Sequence, residues 1–168
     1  VTAQDGIHTR DYQVQMIVMQ DEDVYTSLMK NFDFSYWEEN STFHYATPVQ
    51  KTNDGTTYSI FSTSNQGVAL YQQFPVPEQY PTYAIAHNDG YAAKMITKVG
   101  PGNILGLQYI PIVAGSLYTG TMNLLNALRD PLTATQLGRS FNQIPVRFTG
   151  KYKYKAGSVS YTHLRAHE

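Results

Sequence analysis

From Ile144 to Gly157 the chain reads IPVRFTGKYKYKAG. Val146, Phe148, Tyr152 and Tyr154 alternate with Arg147, Thr149, Lys151, Lys153 and Lys155. Successive side chains point to opposite faces of a strand, so this period of two predicts one apolar face and one basic face. Gly150 falls where a bulge or a close backbone approach is expected. A strand with an apolar face needs other strands or a core to cover it.

The rest of the chain carries the same signals. Asn53-Asp54-Gly55 and Asn88-Asp89-Gly90 supply the positive φ angles of tight hairpins. After the second, Tyr91, Ala93, Met95 and Thr97 alternate with Ala92, Lys94, Ile96 and Lys98. Tyr58 to Phe61 and Val68 to Phe74 are further strand candidates, and FSTSNQG (61–67) reads as a loop. Ile104 to Val113 is almost continuously apolar, as a strand buried on both faces would be, although Gly106 and Pro111 interrupt it. Met122, Leu124, Leu125 and Leu128, ahead of Arg129-Asp130-Pro131, suit one or two helical turns. Turns spaced at about ten residues predict a sandwich or jelly roll.

Charged residues are 15% of the chain, below the usual share of about 25%, and 14 Tyr help fill the deficit. A formal net charge of −1 gives no long-range field for nucleic acid. With 0 Cys there is no disulfide framework, thiolate zinc site or thiol nucleophile. No apolar run approaches the ~20 residues that span a bilayer, so no transmembrane segment is expected.

The ends read differently from the middle. VTAQDGIHTRDYQVQMIV (1–18) is a strand, an Asp5-Gly6 turn and a second strand with Tyr12, Val14, Met16 and Val18 on one face. It resembles the closing hairpin of bacterial Ig-like modules; the alternative is an N-terminal hairpin of the main domain. Residues 21–30 read as a linker. The last residues, SYTHLRAHE, resemble translated sequencing-adapter read-through. On that reading residues 158–168 are a non-native tail, His163 and His167 form no site, and the main domain is truncated at its C-terminus.

A family resemblance runs through the body. FSTSNQG, GYAAKMITK (90–98), AGSLYTGTM (114–122), LGRSF (137–141) and the closing KYKYKAG occur in an order similar to the putative carbohydrate metabolism domain of Bacteroidetes surface proteins. The resemblance implies an all-β, galactose-binding-like jelly-roll β-sandwich over residues 31–157. It also implies a glycan ligand and an extracellular or outer-membrane location, with any signal or lipid anchor outside this sequence. A monomer is expected. Asn31 to Trp37 resembles the opening segment of many jelly-roll carbohydrate-binding modules.

The residues themselves point to binding more than to catalysis. There is no G-x-S-x-G elbow, Walker loop, H-E-x-x-H or G-x-G-x-x-G. A glycosidase needs two carboxylates across the scissile bond. Among Asp33, Glu38, Glu39, Asp54 and Asp89 the sequence selects no pair, so a glycoside hydrolase is the alternative function and a spacer or adhesion module a further one. Sugar rings stack on aromatics while amides and carboxylates take their hydroxyls. Phe34 to Tyr45, FSYWEENSTFHY, has that mixture. The candidate carbohydrate-binding residues are Tyr36, Trp37, Glu38, Tyr45, Asn65 and Gln66. Trp37 has a competing role as a core residue, and Asn65 and Gln66 a competing role in shaping their turn. Structural calcium is common in such modules, and Asp33 is its candidate ligand. His8, His44 and His87 read as surface or loop residues. The basic face of residues 147–155 reads as a solvated face with Lys guarding an edge, a polyanion site being the alternative.

Overall fold

The computed structural model describes residues 2–4, 9–11, 24–30, 32–104, 107–127 and 131–155. Among them strands predominate, every pairing is antiparallel, and the few helices are short, which makes the fold all-β. β1 (Thr2–Gln4) pairs with β2 (Thr9–Asp11) in antiparallel register, as the expected N-terminal hairpin requires. The apolar face assigned to Tyr12, Val14, Met16 and Val18 lies outside the described residues, as does residue 31.

Residues 21–30, expected to be a linker, contain helix α1 (Val24–Met29). Its buried Leu28 joins Ile60 and Phe61 in a core cluster, with Tyr25, Phe32, Phe34, Tyr58 and Leu117 packed around them. β3 (Tyr36–Glu39), β4 (Ala46–Lys51) and β5 (Thr57–Tyr58) form a three-stranded sheet with β3 and β5 at its edges. The Asn53 to Gly55 turn joins β4 to β5 as its sequence predicts, with Gly55 at φ +90°. β6 (Phe61–Thr63) is the edge of a second such sheet.

Helix α2 (Asn65–Ala69) follows β6, so the FSTSNQG loop is a strand end and a helix start. The strand expected over Val68 to Phe74 does not form. Adjacent Val68 and Ala69 are both buried, as helical geometry allows, and they meet Tyr80 in a second core cluster. Short apolar runs do not distinguish strand from helix by period alone. Tyr80 is fully buried, and its hydroxyl donates to the Phe43 carbonyl and accepts the Phe74 N–H at 3.2 Å. Phe74 and Tyr45 stack edge-on against it, at 5.0 and 5.9 Å between ring centroids. Burying such a side chain contributes on the order of 2–3 kcal/mol.

β7 (Thr82–His87) and β8 (Gly90–Met95) form the second predicted hairpin, with His87 opposite Gly90. β9 (Lys98–Ile104) and β10 (Leu107–Val113) form a third. The Ile104 to Val113 run is therefore no doubly buried strand. The chain reverses within it, and Val99 and Ile112 are exposed. Register shifts flank Ile110, where Pro111 has no N–H to give a ladder. β11 (Leu117–Met122) sits between β6 and β12 (Thr135–Leu137). Between β11 and β12 the helical turn expected ahead of Arg129 is α3 (Leu124–Ala127), and a second short helix, α4 (Pro131–Ala134), follows it. Pro131 opens α4, where its missing N–H costs nothing.

The segment 144–155 departs most from expectation. It belongs to no strand, and no described strand pairs with it. Val146 is 99% exposed and Tyr152 91%, with Ile144, Phe148 and Tyr154 also exposed. Alternation supplies a strand's faces, but a strand also needs a ladder partner for its N–H and C=O groups. The tail of residues 158–168, with His163 and His167, lies outside the described residues.

Candidate functional site

Two places gather chemistry-bearing side chains. The first is the hairpin β3–turn–β4. Tyr36 lies opposite Val49 and Glu38 opposite Thr47, so Tyr36 and Glu38 share one face with Lys51. Trp37 and Glu39 share the other face with Pro48 and Ala46. Tyr36 is 47% exposed, and the Lys51 ammonium sits 5.2 Å from its ring centroid. Glu38 is exposed. Trp37 is half-buried and donates its indole N–H to the Phe34 carbonyl at 2.9 Å.

Asn40 builds the turn. Its side-chain oxygen accepts the N–H groups of Thr42 at 3.0 Å and Phe43 at 2.9 Å, and its carbonyl accepts the His44 N–H at 2.8 Å. His44 takes φ 58° there, and its Nδ1 lies 2.9 Å from the Glu39 carboxylate. Tyr45 returns to the core beside Tyr80. Burial raises its pKa, Tyr80 adds to the rise, and a hydrogen bond with the Asn40 side chain opposes it.

The second place is the junction where β4, α2, β7, β8 and β11 meet. Asn65 is 0% exposed. Its Nδ2 donates to the Thr82 carbonyl at 2.6 Å and contacts the Ala46 carbonyl at 3.4 Å, while its Oδ1 accepts the Thr82 N–H at 3.0 Å. The Asn65 side chain thus ties α2 to β4 and β7, segments distant in sequence, and is itself buried. Next to it, Gly115 donates its N–H to Ile96, and Ile96 donates to Pro81, each at 2.9 Å. A Cβ on Gly115 would lie 2.5 Å from the Pro81 oxygen. Gly120, at φ +138°, would place a Cβ 2.1 Å from the Gln136 oxygen. Arg139 donates to the carbonyls of Ser59 at 3.0 Å and Gly120 at 3.2 Å and lies over the Tyr25 ring at 5.3 Å.

Of the predicted residues, then, the structure brings Tyr36 and Glu38 together on one open face. It turns Trp37 to the opposite face, packs Tyr45 against the core and buries Asn65. Gln66 sits half-exposed on α2, away from that face. Asp33 is exposed and accepts the Ser35 N–H at 3.1 Å, capping the approach to β3. Among the described residues no three His, Asp or Glu side chains gather. Two neighbours were not singled out from sequence. Lys51 faces Tyr36 through the hairpin register, which the length of the 40–45 turn fixes. The β7–β8 turn lies against Ser35, whose Oγ would be 4.0 Å from a Cβ on Gly90. No local pattern announces that contact. Asp54 is spoken for as a turn residue, its carboxyl held low first by the Thr52 hydroxyl and then by the Thr56 N–H.

Residues 31–167 match the family described as Putative carbohydrate metabolism domain. The chain belongs to this family. The matched range extends past Gly157, over residues outside the described set. This carbohydrate metabolism domain is also similar to a crystal structure of a putative glycoside hydrolase from Bacteroides vulgatus ATCC 8482, with a TM-score of 0.53 and 27% identity. The similarity covers 66% of this chain and 44% of that one, so the chain spans less than half of it. Among curated proteins none matches. No helix among the described residues is long and apolar enough to cross a membrane.

Proposed function

We propose that the domain binds carbohydrate through the open face of β3, without cleaving it, as a jelly-roll module of a bacterial surface protein. The observation that carries this is Tyr36 and Glu38 side by side on an exposed edge strand. An aromatic ring offers the C–H face of a sugar a stacking surface at low entropic cost, and a carboxylate beside it accepts hydroxyl protons. Lys51 holds the Tyr36 ring by a cation–π contact, which limits its rotamers before a ligand arrives. A glycan partner fits the family, and a surface, extracellular setting is proposed with it.

Affinity electrophoresis of the full chain on soluble bacterial and plant glycans tests it. At least one glycan is expected to retard the protein, and Tyr36→Ala is expected to weaken binding about tenfold, in line with a lost aromatic anchor. Retardation unchanged by Tyr36→Ala would remove β3 as the site. A second reading, hydrolysis, is favoured by the description of the Bacteroides neighbour. Release of reducing ends from a bound glycan, abolished by Glu38→Gln with binding intact, would establish catalysis in place of simple capture.

A further inference from the structure

Residues 144–155 expose an apolar stripe that a chain in water has reason to cover. Ile144, Val146, Phe148, Tyr152 and Tyr154 lie on one side of the alternation, and Arg147, Lys151, Lys153 and Lys155 on the other. The segment contains no acid. The covering surface must therefore offer an open strand edge, an apolar face and negative charge. From residue 24 onward β3 is the described strand that carries carboxylates, Glu38 and Glu39, and it is a sheet edge. β8 presents Lys94 and β9 Lys98, which repel the segment, and β12 (TQL) is uncharged.

We infer that residues 144–155 dock on the free edge of β3 in the same chain, as a fourth strand of the β3–β4–β5 sheet. The faces fix which side goes where. Trp37 shares its face with Glu39, whose carboxylate His44 already holds, and that face takes the Phe148 and Tyr152 side. Glu38 lies on the other face, which takes the lysines. Lys51 sits at the Tyr36 end of that face, so the attraction is centred on Glu38.

The root of the segment is placed for this. The N–H of buried Asn142 donates to the Thr26 hydroxyl at 2.9 Å on α1. α1 shares its core cluster with Phe34, two residues before β3. At about 3.3 Å per extended residue the segment has roughly 40 Å of reach. A short tether of this kind gives an effective concentration in the millimolar range, which favours the chain's own β3 over that of a second copy. Strand addition occupies the backbone edge and sets lysines beside Glu38 while the Tyr36 ring stays open. The tests below read docking whether or not a glycan binds.

The chain has 0 Cys, so paired cysteines can test it directly. Opposed side chains on neighbouring strands share a face at Cβ separations of about 4.5–5.5 Å, near the range a disulfide bridges. Glu38→Cys is combined in turn with Lys151→Cys, Tyr152→Cys and Lys153→Cys in the full chain under mild oxidation. The expected result is an intramolecular disulfide with Lys151→Cys or Lys153→Cys and none with Tyr152→Cys. Equal reaction at all three positions, a disulfide-linked dimer, or no disulfide would overturn docking on the chain's own β3. Hydrogen exchange of the unsubstituted protein gives a second reading that no variant can confound. Amides within 146–154 are expected to exchange at least ~10-fold more slowly than an unstructured chain. Exchange at unstructured rates would overturn the inference as well.

Discussion

The junction around Asn65 and the hairpin edge at β3 use polar and special residues for opposite ends. At the junction Asn65, Gly115, Gly120 and Arg139 face inward, and backbone groups take up their hydrogen bonds or fill the space a side chain would need. At β3 the polar and aromatic groups face out, and a short turn organised by Asn40 holds the strand. The first region ties distant backbone segments together, while the second leaves its side chains open to solvent.

Substitutions at the two regions should separate stability from binding. The largest effect is expected from Gly120→Ala. Its Cβ would overlap the Gln136 carbonyl in a left-handed conformation, and strain and overpacking together cost about 3–6 kcal/mol. Loss of the cooperative thermal transition, or a very low melting temperature, is the readout; a near-normal melt would break the contrast. Asn65→Ala comes next. It strands the buried N–H and C=O of Thr82, at about 2–4 kcal/mol, visible as a lower urea midpoint with unchanged slope. Arg139→Lys keeps the charge but loses the guanidinium's two-carbonyl reach and its contact with Tyr25, for about 1–2 kcal/mol by the same titration. Tyr36→Ala, by contrast, should shift stability by no more than ~0.5 kcal/mol while weakening glycan binding. A large loss of stability there would mean that β3 is also scaffold.

The smallest effect is a dependence on alkaline pH. Tyr45 has a folded pKa raised above the ordinary 10.0, chiefly by burial. Below pH 10 its phenol is neutral whether the chain is folded or not. Above it the unfolded chain gives up the proton first, so stability falls as pH rises toward the folded value. Tyr45→Phe should flatten the melting temperature between pH 9.5 and pH 11 relative to the parent, with a change near one degree.

Much of the architecture was legible. Both Asn-Asp-Gly turns form, with the positive φ at Gly55 in the first and at Asn88 in the second, and the alternation after Gly90 becomes β8. The misses have physical causes. Val68 to Phe74 is too short for its period to tell helix from strand, and Asn65, tied to Thr82 from inside, favoured the helix. The apolar run through residue 113 concealed a reversal, because hydropathy reports burial in general and not which neighbour supplies it. The segment 144–155 has a strand's alternation but no described partner, since a ladder depends on residues distant in sequence. At the site, the aromatic and acidic content of Phe34 to Tyr45 was legible. The division into faces was not, because it rests on the register with β4. Asn65 stood out as a polar residue in a polar loop, and only its burial distinguishes a peptide mimic from a ligand hand.

That mimicry reaches further. The side-chain amide of Asn65 gives and receives with one residue, Thr82, as a peptide group does across an antiparallel ladder. It acts as a rung standing where no strand runs. Fluctuations that peel α2 from β7 must break both bonds, and the same β7 residue is held from its other side by its hydroxyl on the Ser116 carbonyl. Helix and hairpin are thus fastened to each other through a side chain where a strand would use its backbone.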